Sequence, residues 1–174
     1  MPYGRKWIER EFNFEFATDL FPEIIERLRG TPTRLEEMTG AVPPEVLVRR
    51  NGESWSIQEN AGHLLDLEPL FTQRLEQYVQ GESTLVAADL TNRKTHEAHH
   101  NEKPIASILS DFRGERGQLV ARLEQMEPAS FALSAIHPRL RKPMRLVDMM
   151  FFHAEHDDNH LARITELKRL FMRS

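Results

Sequence analysis

The 174-residue chain contains no cysteine, which excludes a disulfide scaffold, thiolate zinc knuckles, iron–sulfur ligation and a cysteine nucleophile. Glycine is scarce at 8 residues, and there is no glycine-rich phosphate loop, nucleotide fingerprint or Gly-x-Ser-x-Gly elbow. Long apolar runs are missing too: the N-terminal stretch has no signal-peptide core, and nothing approaches a membrane span. Nor is there a surplus of positive charge. The 23 Lys and Arg are outnumbered by 27 Asp and Glu, a net charge of −4, which argues against generic binding to nucleic acid or anionic membrane. With 40% hydrophobic and 29% charged residues, the composition is that of a globular domain, and the expectation is one soluble, cytoplasmic domain over residues 1–174.

Strand-like alternation is nearly absent, and apolar residues recur instead at spacings of three and four. A first helical stretch starts at Thr18 or Asp19 and carries Ile24, Ile25, Leu28, Leu35 and Met38. Gly30-Thr31-Pro32 interrupts it, predicting either one kinked helix or two short ones. Ser56-Ile57-Gln58-Glu59 is a capping box opening a second helix that runs to Gly81, with a bend at Pro69. Residues 82–103 are polar and irregular, with a short helix over Asp89–His100. A third helix opens with Pro104 in its first turn and reaches Met126. After a proline-rich loop, a fourth spans about Met144 to Phe171. Four amphipathic helices with one long crossover predict an all-α four-helix bundle.

The 8 histidines are the most informative polar residues. On the fourth helix His156 and His160 sit about 40° apart and one turn displaced, so both rings can face one ion. They fall in or beside the apolar stripe of Leu146, Met149, Ile164 and Leu167, where water cannot satisfy their ring nitrogens. His63, on the inward face of the second helix, is the most plausible third member, and the adjacent Gly62 lets a neighbouring element approach. Three imidazoles would leave coordination positions open on a divalent ion, the catalytic arrangement. Chance alone produces about 0.4 His-x-x-x-His pairs in such a chain, so satisfied core histidines remain the alternative to metal ligation. His153, about 10 Å along the axis from His160, reads as a packing residue or one that steadies a ligand from outside.

Other candidates fare less well. His96-Glu97-Ala98-His99-His100 matches the zincin signature, but its polar flanks offer no buried face, so it reads as a solvated crossover. A di-iron bundle needs two Glu-x-x-His motifs, and only Glu97 to His100 has that spacing. His137 reads as a loop residue. Trp7 and Trp55 read as core or cap packing, and Asp157 and Asp158 as an exposed charged face. Glu59 and Asp66 flank His63 by one turn and are the only base candidates, each better suited to a cap or surface role.

Trp55-Ser56-Ile57-Gln58-Glu59-Asn60-Ala61-Gly62-His63-Leu64-Leu65-Asp66 resembles the second-helix signature of the DinB-like superfamily (the DinB/YfiT group). Residues Ala154 to Ile164, through His156-Asp157-Asp158-Asn159-His160, resemble its last-helix metal motif. The resemblance implies an up-down-down-up bundle, usually dimeric, in which His63, His156 and His160 bind a divalent ion, commonly nickel or zinc. Asn159 stands where relatives often have histidine. It also implies a metal-dependent hydrolase or thiol S-transferase acting on a small electrophilic substrate, with a low-molecular-weight thiol as possible co-substrate. The competing reading is a non-catalytic bundle whose metal or histidine cluster is structural, serving dimerisation or binding.

Overall fold

Ser56 and Glu59 close the capping box reciprocally: the serine oxygen accepts from the Glu59 amide at 3.0 Å and the Glu59 carboxylate accepts from the Ser56 amide at 2.9 Å. This local signal starts the long helix α3 where the sequence places it. The computed structural model describes residues 7–172. In chain order its elements are α1 (Phe21–Gly40), α2 (Pro44–Leu47), α3 (Ile57–Val79), α4 (Arg93–Glu97), α5 (Ile105–Glu124), strands β1 (Ser134–His137) and β2 (Lys142–Arg145), and α6 (Leu146–Phe171).

Directions follow from the side-chain contacts. Helix α1 runs parallel to α6, since Arg145 reaches Thr18 at one end and Lys168 reaches the Met38 carbonyl at the other. Helix α3 runs parallel to α5, through Glu68 with Arg116 and Glu76 with Arg122. The α1–α5 and α3–α6 pairs are antiparallel, as Arg113 meets Glu36, Arg29 meets Glu124, Asn60 meets His160, and Tyr78 meets Met144. The bundle is therefore up-down-down-up. The parallel neighbours α3 and α5 need the crossover of residues 80–104 to return the chain to the other end.

Two apolar clusters fill the bundle. One gathers Leu28, Phe71, Leu123 and Met149, the other Leu35, Leu64, Phe112 and Ile164. Between them each long helix contributes a buried polar residue: Thr31, Glu68, Arg116 and Asp157. The histidines lie at this level.

Several boundaries differ from the sequence reading. Thr18 and Asp19 sit in a 3-10 turn ahead of α1, which has no side-chain cap. Pro32 lies inside one continuous α1. Its ring removes the amide that would bond the Leu28 carbonyl, and Arg116 Nη1 takes that carbonyl instead at 3.0 Å. Pro104 caps α5 from outside, and α5 ends at Glu124 rather than Met126. The short helix expected over Asp89–His100 is α4 followed by a 3-10 turn at His100–Glu102. The proline-rich loop contains the antiparallel hairpin β1–β2, pairing Ser134 with Arg145 and His137 with Lys142. Met144 therefore belongs to β2 and α6 starts at Leu146. The crossover is stitched to β1 by Leu85 N–H to the Ile136 carbonyl and Ile136 N–H to the Ser83 carbonyl. Among the described residues, no helix is long and apolar enough to cross a membrane.

Candidate metal centre

Helix α3 presents His63 and the antiparallel α6 presents His156 and His160 one turn apart. One candidate ligand atom from each lies within 4.8 Å of the others, and all three rings are buried. His160 Nε2 and His156 Nε2 face each other at 3.2 Å.

The surroundings fix the tautomers of His160 and His63. Asn60 donates through Nδ2 to the Ser56 carbonyl at 2.7 Å, which leaves its Oδ1 to accept from His160 Nδ1 at 2.8 Å. The His160 proton is thus on Nδ1, and the Nε2 lone pair points at His156. His63 Nδ1 lies 2.9 Å from Thr95 Oγ1. Thr95 in turn bonds the Asp66 carboxylate, which also accepts from His100 Nε2 at 2.8 Å. Burial alone would raise the Asp66 pKa, but the hydrogen bonds from His100 and Thr95 hold it below the ordinary carboxylate value. The chain His63–Thr95–Asp66–His100 leaves His63 Nε2 free to ligate. His156 Nδ1 has no hydrogen-bond partner among the described residues.

Burial pulls the His63 pKa down to about 4 against the pull of Asp66. Burial and the neighbouring rings push His156 and His160 well below the ordinary histidine value. All three are neutral near pH 7. The His160 Nε2 lone pair faces His156 Nε2 at 3.2 Å, so the two rings are bridged either by a His156 proton or by a cation between them. Neutral imidazole donors suit a divalent ion of borderline softness, so the residues present fit such an ion.

Aromatic rings enclose the triad. Trp55 lies 4.6 Å from His63 and 6.2 Å from His160, ring centre to ring centre, and Trp7 lies 5.0 Å from His156. These tryptophans, read from sequence as generic packing, are the walls of the site.

A second buried polar cluster adjoins the first. Arg116 donates to Glu68 at 2.7 and 3.0 Å and to Asp157 at 2.6 and 3.1 Å. It also donates to His153 Nε2 at 2.8 Å. Burial alone would raise the Glu68 carboxyl, but the Arg116 charge holds it down to about 2. The His153 ring stacks on Phe71 and turns to Arg116, away from the triad.

Four sequence expectations change here. Asp157 is fully buried in this network rather than on an exposed face, because Arg116 supplies the countercharge that burial requires. Asp66 is buried and bonded rather than a surface residue. His100 is buried over Gly62, where a methyl group would overlap its ring, so the histidine-rich crossover is in part a lid on α3 rather than a solvated strand of chain. His137 is a buried strand residue, not a loop residue. Glu59 is committed to the cap and to Arg50. The sequence reading missed Arg116, Asn60 and Thr95. Arg116 had a signal, since it falls in the apolar stripe of Phe112, Leu119 and Leu123.

A model of the DinB superfamily matches residues 27–164. None of the curated protein sequences matches the chain. Among solved structures, YfiT from Bacillus subtilis, described as a probable metal-dependent hydrolase with an unusual four-helix bundle topology, aligns with a TM-score of 0.81 at 18% identity over 95% of each chain. A mycothiol-dependent maleylpyruvate isomerase aligns with a TM-score of 0.65 at 9% identity, over 82% of this chain and 59% of that one. The colibactin self-resistance protein ClbS, in complex with double-stranded DNA, aligns with a TM-score of 0.67 at 15% identity, over 86% and 95%. At such identities the likeness concerns the fold.

Proposed function

The chain belongs to the DinB superfamily, and on that premise we propose that it is a divalent-metal-dependent enzyme of hydrolase or thiol S-transferase type. Its substrate is a small electrophile, and His63, His156 and His160 hold the ion. The observation that carries this reading is a contrast between two buried clusters. The Arg116 cluster satisfies itself with carboxylates, whereas the triad brings three neutral imidazoles together, with the His160 Nε2 lone pair turned to His156 and His156 Nδ1 without a partner among the described residues. A cluster built only to hold the bundle would resemble the first.

Nickel or zinc suits the three nitrogen donors. When bound, such an ion acidifies a coordinated water or thiol, or polarises a carbonyl. The chain's own residues prepare the site. Asn60 holds the His160 tautomer, Thr95 and Asp66 hold His63, and Trp7 and Trp55 exclude bulk water. Asp66 acts through His63 rather than as a free base. The descriptions of YfiT as a probable hydrolase and of the isomerase as mycothiol-dependent support the two reaction types and a low-molecular-weight thiol as co-substrate. A cytoplasmic homodimer of single-domain chains, with no nucleic-acid or membrane partner, completes the proposal.

Elemental analysis of protein purified without a histidine tag tests it. About one nickel or zinc per chain is expected, lost in His156→Ala, along with turnover on panels of esters and of electrophiles offered with cellular thiols. Equal behaviour of the two proteins on both panels would favour the non-catalytic bundle.

A further inference from the structure

Arg116 and Arg74 are both buried in this bundle, yet they differ in their company. Arg116 has two carboxylates, while Arg74, 2% exposed, has none among the described residues. Its Nε and Nη2 donate to the Val86 carbonyl at 3.1 and 2.9 Å, and Nη1 faces the Met149 sulfur at 3.8 Å. Burial brings its pKa down to about 10, with Arg139 adding to the fall against Tyr78. A buried guanidinium without an anion is costly unless something else supplies the charge.

Two further donors gather beside it. His137, 2% exposed, accepts the Leu140 amide at Nδ1 at 3.2 Å, so its proton is on Nε2. That N–H is buried and has no partner among the described residues, and the same holds for Arg139 Nη2. The Arg139 guanidinium lies 5.5 Å from the Phe152 ring centre, and the His137 ring 5.2 Å from the same ring. Burial and then both guanidinium groups depress His137 to about 3. The cluster thus gathers donors and positive charge whose acceptors among the described residues are a carbonyl and a thioether, with two of its donors unmet. A cation would be repelled and an apolar group would leave the donors unmet. An oxyanion satisfies both.

The triad is one ring away. Trp7 lies 5.9 Å from the Arg139 guanidinium and 5.0 Å from the His156 ring. We propose that Arg74, Arg139 and His137 form an oxyanion-binding site that takes the carboxylate or phosphate end of the substrate whose electrophilic end reacts at the triad. The link to the reaction rests on the proposed function above; the oxyanion site itself does not.

The test uses the full chain with acetate and inorganic phosphate as probes, at constant ionic strength against chloride. The readout is the His137 ring nitrogen resonances. Arg139→Gln changes a half-buried side chain that makes no ion pair among the described residues, and its thermal melt is expected to match that of the native protein. A saturable shift with acetate or phosphate is expected, weakened at least about tenfold in Arg139→Gln and retained in His156→Ala. Acetate binding alone assigns carboxylate ends, and phosphate binding alone assigns phosphorylated ones. No saturable shift beyond chloride, or an unchanged Arg139→Gln, overturns the site. In the activity panels, anionic electrophiles should outperform their neutral analogues, and Arg139→Gln should erase that preference through KM. Anion binding without any turnover would refute the enzymatic reading and leave the site standing.

Discussion

Replacing Arg116 with methionine keeps much of the side-chain volume and removes only the guanidinium. Glu68 and Asp157 would then be buried without their countercharge, and the Leu28 carbonyl, already deprived of the Pro32 amide, would lose its donor. Breaking one partner out of a buried ion pair costs about 3–5 kcal/mol. The direction and size of the Glu68 pKa shift agree with that cost. The fall from 4.5 to about 2 corresponds to about 3 kcal/mol, present above pH 4.5 and lost as pH falls through 2. In Arg116→Met burial is no longer opposed by Arg116, so the Glu68 pKa rises above 4.5 and the variant gains stability as acid protonates it. Urea denaturation at pH 7 should therefore show a loss of about 3–5 kcal/mol, narrowing steadily toward pH 3. Adding Glu68→Gln should recover part of the loss at pH 7. A difference under about 1 kcal/mol, or one independent of pH between 7 and 4, would refute the network as a determinant of the core.

Gly62→Ala sets helix propensity, worth about 1 kcal/mol in favour of alanine, against overlap with the His100 ring. The overlap should win by about 1–2 kcal/mol in thermal melts, and a stabilised variant would show that His100 is not held there. Asn60→Leu removes the acceptor that fixes His160, and metal affinity in a chelator competition should drop about 10–100-fold. In metal-free protein the buried neutral His63 contributes about 3 kcal/mol that is present above pH 6.5 and lost as pH falls through 4. His137, His156 and His160 act in the same direction. Denaturation midpoints should fall across that window, and less steeply in His63→Gln.

What the amino-acid sequence determined by itself is whatever depends on near neighbours along the chain. The Ser56–Glu59 box, the three-and-four spacing of α1, α3, α5 and α6, and the inward angle of His63, His156 and His160 are set within a few turns of helix. Their physics is local, so they can be read without a fold. Only the tertiary structure decided the rest. The hairpin at 134–145 has four-residue strands held by pairing to each other and to the crossover, and it leaves no alternation long enough to detect. Pro32 persists inside α1 because an arginine 84 positions later supplies its missing bond. Asp157, Asp66 and His100 look solvated from their neighbours in sequence, yet each is buried because a partner from another element meets it. A charge or a lone pair goes inside only when something answers it, and that answer comes from residues that folding, not sequence order, brings within reach.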